Sequence, residues 1–190
     1  MSKLRIGFVL TGSFCTFAKV IPVIQALIER GDSVTPILSD SAGTLDTRFG
    51  TAAHWRQELT ALTGVSPIDS IVSAEPIGPK ALFDILIVAP CTGNTLARLA
   101  HGLTDTPATM AVKSHLRGER PVVLAVSTND GLCGSARNIG ELLARKNFYF
   151  VPFGQDDPTK KPMSLVADFG LVNETVAAAL EGKQLQPMLR

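Results

Sequence analysis

Short segments of mostly apolar residues, each followed by a break of small polar residues, are the sequence feature that most constrains this fold. They are Leu4–Leu10, Val34–Leu38, Ile85–Ala89 and Val122–Val126. A strand that is apolar at nearly every position is buried on both faces, which is typical of a parallel sheet covered by helices. We therefore expect these four segments to form the centre of such a sheet.

Segments with helical periodicity lie between the predicted strands. Ala18–Arg30 and Thr51–Thr63 repeat apolar residues at helical spacing, and a glycine follows each of them. The alternation of strands and helices predicts one domain over residues 1–190, with a three-layer, Rossmann-like (flavodoxin-like) α/β fold and helices on both faces of a parallel sheet. We also expect a short strand near Ile71-Val72 and a polar loop over Gly154–Ser164.

Charge and cysteine content narrow the classes of function. The formal net charge is +1 and like charges form no runs, which argues against nucleic acid or an anionic membrane as the main partner. Cys15, Cys91 and Cys133 lack any Cys-x-x-Cys spacing and form no ligand pattern with histidines, so we expect no metal site and no disulfide framework. Free thiols, with no signal peptide and no membrane span in the sequence, predict a cytoplasmic protein.

Four segments rich in hydroxyl groups, glycine and asparagine follow the predicted strands directly. They are Thr11–Phe14, Ser39–Ser41, Pro90–Thr95 and Ser127–Gly131. The carboxyl ends of parallel strands meet at one edge of the sheet, where ligands bind in folds of this kind. Backbone N–H groups and helix N-termini at that edge suit a phosphate without Lys or Arg, although the same residue types also serve as ordinary caps and turns.

The glycine pattern does not by itself identify the phosphate-bearing cofactor. Gly12 has no partners at the Gly-x-Gly-x-x-Gly spacing, so the dinucleotide fingerprint is absent. Asp40, however, follows the second predicted strand, where a ribose-binding acid would lie. At this point in the argument NAD(P) therefore remains an alternative.

The segment from Ala89 to Asp105 carries the most specific motif, Ala-Pro-Cys-Thr-Gly-Asn-Thr-Leu-Ala-Arg-Leu-Ala-His-Gly-Leu-Thr-Asp. It resembles the Pro-x-Ser/Thr-x-Asn-Thr-x-Ala-Lys-x-Ala-x-Gly-x-x-Asp motif of the flavoprotein family, with Arg98 in place of the lysine. That family includes flavin-dependent cysteine decarboxylases and the flavin prenyltransferase. Thr11-Gly12-Ser13 is similar to the same family. The resemblance implies FMN as cofactor and a homo-oligomer, a trimer or a dodecamer, with the flavin between protomers.

The resemblance also implies which residues bind the cofactor. The phosphate side would be formed by Gly12, Ser13, Phe14 and Ser39. The ribityl chain and ring would lie along Pro90, Cys91, Thr92, Asn94 and Thr95, and the site would be completed by Ser127, Thr128 and Asn129. Cys91 has two interpretations, a thiol activated at a helix N-terminus or a small packed residue.

The later half of the chain departs from the decarboxylases. Their substrate-recognising Pro-x-Met-Asn signature is absent, and Val126–Leu132 stands in its place. From there to Ala167 the chain resembles a branch of the family that forms one component of a two-component oxidoreductase in sporulating bacteria. The resemblance implies oxidation of a small cyclic dicarboxylate in the mother-cell cytoplasm, with NADP on the partner component. An FMN-dependent decarboxylase and a non-catalytic binding or assembly protein remain alternatives.

Four further residues could serve that chemistry. Lys160 and Lys161 would bind the dicarboxylate, or would belong to a solvated loop. His54 is the candidate general base, because several family members carry an active-site histidine in the helix after the second strand and because imidazole titrates at about pH 6.5. The alternative is a surface or partly packed histidine. Arg137, which follows the fourth predicted strand, is a further cationic donor for the dicarboxylate, but we interpret it as an ordinary helix residue near a cap.

Overall fold

A mixed sheet of seven strands forms the centre of the protein in a computed structural model that describes residues 3–190. The strands are β1 (Arg5–Leu10), β2 (Ser33–Leu38), β3 (Ile85–Cys91), β4 (Val122–Thr128), β5 (Phe148–Phe150), β6 (Phe153–Asp157) and β7 (Lys161–Ala167). Strands β2, β1, β3 and β4 lie side by side and are parallel. On the free edge of β4, β5 pairs in parallel with its first half, and β7 pairs antiparallel with its last residues.

In the described part of the chain, eight helices pack around this sheet. They are α1 (Phe17–Glu29), α2 (Asp40–Thr44), α3 (Ala52–Thr63), α4 (Ile71–Ala74), α5 (Gly93–Ala100), α6 (Pro107–Leu116), α7 (Ala136–Leu143) and α8 (Val172–Leu180). Short 3-10 turns lie at Phe14–Thr16, Glu75–Ile77 and Phe169–Leu171. Within residues 3–190, no helix combines the length and apolar character needed to cross a membrane.

The central strands are buried on both faces, as their apolar sequences predict. Every residue of β3 is buried, and only the last residue of β4 is partly accessible. Full burial of one Val, Leu or Ile side chain contributes about 1.5–3 kcal/mol, so these two strands provide much of the hydrophobic core. The Rossmann-like α/β fold expected from the sequence is confirmed.

Two expectations from the sequence are wrong. Gly154–Ser164 is not a loop, because most of it forms the antiparallel β6–β7 hairpin, which makes the sheet mixed rather than wholly parallel. Asp157 closes the turn, since its Oδ1 accepts from the backbone N–H groups of Thr159 at 3.1 Å and Lys160 at 3.0 Å. Much of the hairpin is exposed and polar, so it lacks the apolar pattern of a buried strand.

The second error concerns Ile71-Val72, which begins helix α4 rather than a strand. Ser70 caps this helix, because its Oγ accepts from the N–H of Ser73 at 3.1 Å and the Ser73 Oγ accepts from the N–H of Ser70 at 3.2 Å. This reciprocal pair is a capping box, which favours a helical turn over an extended segment despite the β-branched residues that follow.

Candidate functional site

One cleft of about 1230 Å³ opens at the carboxyl ends of β1, β2, β3 and β4. Ten of the twelve residues that the sequence assigned to the cofactor line this cleft. They are Gly12, Ser13, Phe14, Ser39, Thr92, Asn94, Thr95, Ser127, Thr128 and Asn129. Ligand pockets commonly measure about 300–1,000 Å³, so the cleft has room for a cofactor and a small substrate together.

Hydrogen bonds made by side-chain hydroxyl groups hold three of the cleft loops together. Thr11, which is 1% exposed, donates its Oγ1 proton to the carbonyl of Pro90 at 2.6 Å and accepts from the N–H of Thr92 at 3.1 Å. Ser13 Oγ lies 2.8 Å from Ser127 Oγ. The loops after β1, β3 and β4 are therefore joined to one another by hydrogen bonds of their own residues.

Helix N-termini give the cleft donors for an anion. Thr92 caps α5, since its Oγ1 accepts from the N–H of Thr95 at 3.4 Å. The loop after β1 runs through the 3-10 turn at Phe14–Thr16 into α1. The first N–H groups of a helix have no acceptor within the helix and carry partial positive charge, so they suit a phosphate. A Cβ on Gly12 would lie 3.3 Å from Ser41 Cβ, so the loops after β1 and β2 also approach closely.

Pro90 and Cys91 do not line the cleft of the single chain, so their assignment to the cofactor stays a prediction. Both lie inside β3, and Cys91 is fully buried. Burial raises the pKa of the Cys91 thiol far above its ordinary value, because the apolar surroundings disfavour the thiolate. Of the two interpretations of Cys91, the structure supports the packed residue and opposes an activated thiol.

Asp130 forms the centre of a hydrogen-bonded cluster in the cleft that the sequence analysis missed. Its Oδ1 accepts from Thr128 Oγ1 at 2.5 Å and from Ser135 Oγ at 2.7 Å. These two hydroxyl groups lower the pKa of the Asp130 carboxyl, because they stabilise its charged form. Gly93 lies against the cluster, where a Cβ would be 2.6 Å from Ser135 Oγ. The sequence showed the Asn-Asp-Gly turn after β4, but it did not show that the hydroxyl groups of Thr128 and Ser135 bind the Asp130 carboxylate.

The two lysines of the β6–β7 hairpin have different surroundings. Lys161 lines the cleft, and its Nζ lies 2.5 Å from Asp156 Oδ2. This hydrogen bond raises the pKa of the Lys161 ammonium group, and the carboxylate offsets its charge. Lys160 is exposed and does not line the cleft. The structure therefore brings one lysine of the predicted pair to the cleft and leaves the other in solvent.

Three other cations line the cleft, among them one that the sequence analysis interpreted as an ordinary helix residue. Arg98 is paired with Asp105, with 3.1 Å between Nε and Oδ1. Lys19 and Arg137 also line the cleft, and neither has a carboxylate within 4.0 Å among residues 3–190. The interpretation of Arg137 from the sequence is therefore incomplete, because its side chain contributes unneutralised charge to the site.

His54, the candidate general base, does not line the cleft of a single chain. Its Nε2 lies 3.3 Å from Glu58 Oε2, and its side chain is 58% exposed. Its ring centroid is 4.9 Å from that of Trp55, which is buried and packs edge-on against Phe17 at 5.2 Å. The role of His54 as a base stays a prediction. Across the described residues, His, Cys, Asp and Glu form no group of three that could hold a metal ion.

Comparison with known proteins identifies the protein family to which this chain belongs. The Flavoprotein family model matches residues 1–163, and the chain belongs to that family. The chain is 48% identical to the B subunit of dipicolinate synthase from Bacillus subtilis (strain 168), over 97% of this chain and 92% of that protein. It matches the crystal structure of the B subunit of dipicolinate synthase from Bacillus halodurans with a TM-score of 0.90 and 45% identity, covering 98% of this chain and 96% of the other.

A more distant structure shares the fold. The FMN-dependent cysteine decarboxylase SpaF matches with a TM-score of 0.67 and 22% identity, covering 93% of this chain and 97% of that chain. The family resemblance that the sequence motif indicated is therefore confirmed.

Proposed function

We propose that this chain is the B subunit of a dipicolinate synthase. With the A subunit of that enzyme, which would carry NADP, it would convert dihydrodipicolinate, or its hydroxytetrahydro precursor, to dipicolinate in the mother cell of a sporulating bacterium. The observation that carries the proposal is the 48% identity over 97% of the chain. This similarity extends beyond the cofactor motif into the β6–β7 hairpin, which forms the wall of the cleft where a substrate would bind.

FMN is the cofactor that the cleft residues fit best. The first turns of α1 and α5 offer backbone N–H groups for a phosphate, and Gly12 allows the close approach of two loops. The hydroxyl and amide groups of Thr92, Asn94 and Ser127 line the remaining length of the cleft, where they can bind a ribityl chain. When bound, FMN would supply an acceptor for two electrons, which the oxidation of dihydrodipicolinate requires.

The residues of the chain would bind and orient the substrate and exclude water from it. Residues of β7 close one side of the cleft, with Leu165 and Val166 as apolar contacts and Lys161 as a cation. Oxidation of the dihydropyridine ring also releases protons, and His54 is our proposed acceptor. Because His54 does not line the cleft of its own chain, this role requires a homo-oligomer, a trimer or a dodecamer, in which His54 reaches a neighbouring cleft.

An FMN-dependent decarboxylase of the same fold is the second candidate. The match to SpaF supports it at the level of the fold. The sequence of Val126–Leu132 argues against a decarboxylase, because this segment stands where the decarboxylases have the Pro-x-Met-Asn signature that recognises their substrate. A third candidate, a non-catalytic protein that stabilises the NADP-binding partner, predicts a cleft that binds no flavin.

Two measurements separate these candidates. Purified protein should take up FMN, and FMN at 100 times its dissociation constant should stabilise the fold by about 2.7 kcal/mol, measurable as a rise in Tm. A colourless protein whose Tm does not change with excess FMN contradicts the cofactor proposal. Dipicolinate formation is then assayed with the NADP-binding partner by itself, this chain by itself and both together. Release of carbon dioxide without dipicolinate would support the decarboxylase instead.

A further inference from the structure

The first turn of α7 places an amide side chain at the cleft. Asn138 is 5% exposed and lines the cleft, and no side-chain hydrogen bond within residues 3–190 involves its amide. The amide atoms are not among the fully enclosed polar atoms that lack a partner, so solvent in the cleft reaches them. A molecule that occupies the cleft would displace this water and take its place as the hydrogen-bond partner of Asn138.

Arg137 stands beside Asn138 and is also free to bind. Arg137 lines the cleft, is exposed, and forms no ion pair within 4.0 Å in the described part of the chain. A guanidinium binds a carboxylate through two parallel hydrogen bonds, which is the strongest pairing available to an anion of that shape. The N-terminus of α7 adds partial positive charge at the same place.

The neighbouring acid keeps its own charge and forms no ion pair with Arg137. Asp130 accepts hydrogen bonds from Thr128 and Ser135, which stabilise its carboxylate, and among residues 3–190 no salt bridge joins it to Arg137. Lys161, a cation of the β6–β7 hairpin, is paired with Asp156. Arg137 is therefore a cleft-lining cation whose charge is not taken up by an ion pair within residues 3–190.

We propose that Arg137 and Asn138 bind one carboxylate of a small cyclic dicarboxylate and so select the substrate. The inference rests on the proposed function and deepens it, because it assigns the residues that recognise the dicarboxylate. Arg137 forms the paired hydrogen bonds, and the Asn138 amide donates a further one from the wall of the cleft. The phosphate of FMN would bind elsewhere, at the first turns of α1 and α5.

The test measures the binding of pyridine-2,6-dicarboxylate and pyridine-2-carboxylate to the FMN-loaded protein by calorimetry. Arg137→Gln should weaken binding of the dicarboxylate about 10-fold to 100-fold, the range expected for hydrogen bonds to a charged group. It should also abolish the preference for two carboxylates over one. Arg137→Lys should recover only part of the affinity. The matched control is Arg117→Gln, which removes the same charge from an exposed arginine at the end of α6, outside the cleft.

Three results would overturn the inference. They are an unchanged dicarboxylate affinity in Arg137→Gln, an equal loss in Arg117→Gln, and a loss of FMN affinity in Arg137→Gln, which would place a phosphate at this turn. The wild-type protein could take up FMN and form dipicolinate with its NADP-binding partner, yet bind pyridine-2,6-dicarboxylate and pyridine-2-carboxylate equally well. This result would refute the proposed subsite but leave the proposed function intact. Absence of both FMN uptake and dipicolinate formation refutes the proposed function itself.

Discussion

Adding one methyl group at Gly93 should break the hydrogen-bonded cluster around Asp130. A Cβ at this position would lie 2.6 Å from Ser135 Oγ, 2.7 Å from Thr128 Oγ1 and 2.9 Å from Asp130 Oδ1. All three distances are below 3.0 Å, the limit that real Cβ contacts respect. The three oxygens belong to short side chains that are bonded to one another, so they cannot move apart without losing those bonds.

The expected cost combines two effects. Overpacking by one methyl group costs about 1–3 kcal/mol, and each hydrogen bond lost from the cluster costs about 1 kcal/mol more. We therefore expect Gly93→Ala to lower the free energy of unfolding by about 2–4 kcal/mol. In a protein of this size, 1 kcal/mol shifts Tm by about 2–4 °C, so Tm should fall by roughly 5–15 °C.

Chemical and thermal unfolding of Gly93→Ala measure this loss against a matched control. Gly140→Ala is the control, because Gly140 lies in helix α7 and a Cβ there would meet nothing within 4 Å. Alanine is the better helix former, so this control should gain about 0.5–1 kcal/mol. The double variant Gly93→Ala/Ser135→Ala removes the nearest oxygen and should lose less than the sum of its single variants. Equal stabilities of Gly93→Ala and wild type would refute the reasoning.

Three further predictions concern pH and cofactor binding. The lowered pKa of Asp130 should stabilise the fold above the ordinary carboxyl pKa of about 4, and this contribution should vanish as the pH falls through the lower folded value. Asp130→Asn should therefore lose less stability on acidification than wild type in urea unfolding. Burial lowers the pKa of His115 to about 4, so wild type should lose up to about 1.4 kcal/mol per pH unit between about pH 6.5 and that value. His115→Gln should show a shallower slope, and an identical slope would contradict the burial argument. Asn94→Ala should weaken FMN binding about fivefold in a fluorescence titration, the effect of one lost hydrogen bond; unchanged affinity removes Asn94 from the site.

The parallel centre of the sheet and the position of the cleft could both be predicted from the sequence. Ile85–Ala89 is apolar at every position, which is typical of a strand that is buried on both faces in a parallel sheet covered by helices. The polar breaks after the strands then had to share one edge, since parallel strands end on the same side. The family motif after β3 added the flavin to that expectation, and the match to the family confirms the resemblance.

The wall of the cleft could not be predicted in the same way. The β6–β7 hairpin is largely polar and exposed, so no hydrophobic period marks it, and its pairing with Ser127 and Thr128 joins segments far apart in sequence. Whether a strand lies beside a particular edge depends on the packing of the whole sheet. The local composition of Gly154–Ser164 therefore predicted a loop where the tertiary structure has a strand pair.

The charged residues of the site also show what the sequence determines and what depends on the tertiary structure. The sequence by itself determined which strands are buried, where they end and which small polar residues follow them, because burial and backbone geometry act locally. Only the tertiary structure decided which cations form ion pairs, since Lys161 is paired with Asp156 while Arg137 has no carboxylate partner among the described residues. Ion pairing depends on distances of a few ångströms between separate segments, and the order of residues along the chain does not specify these distances.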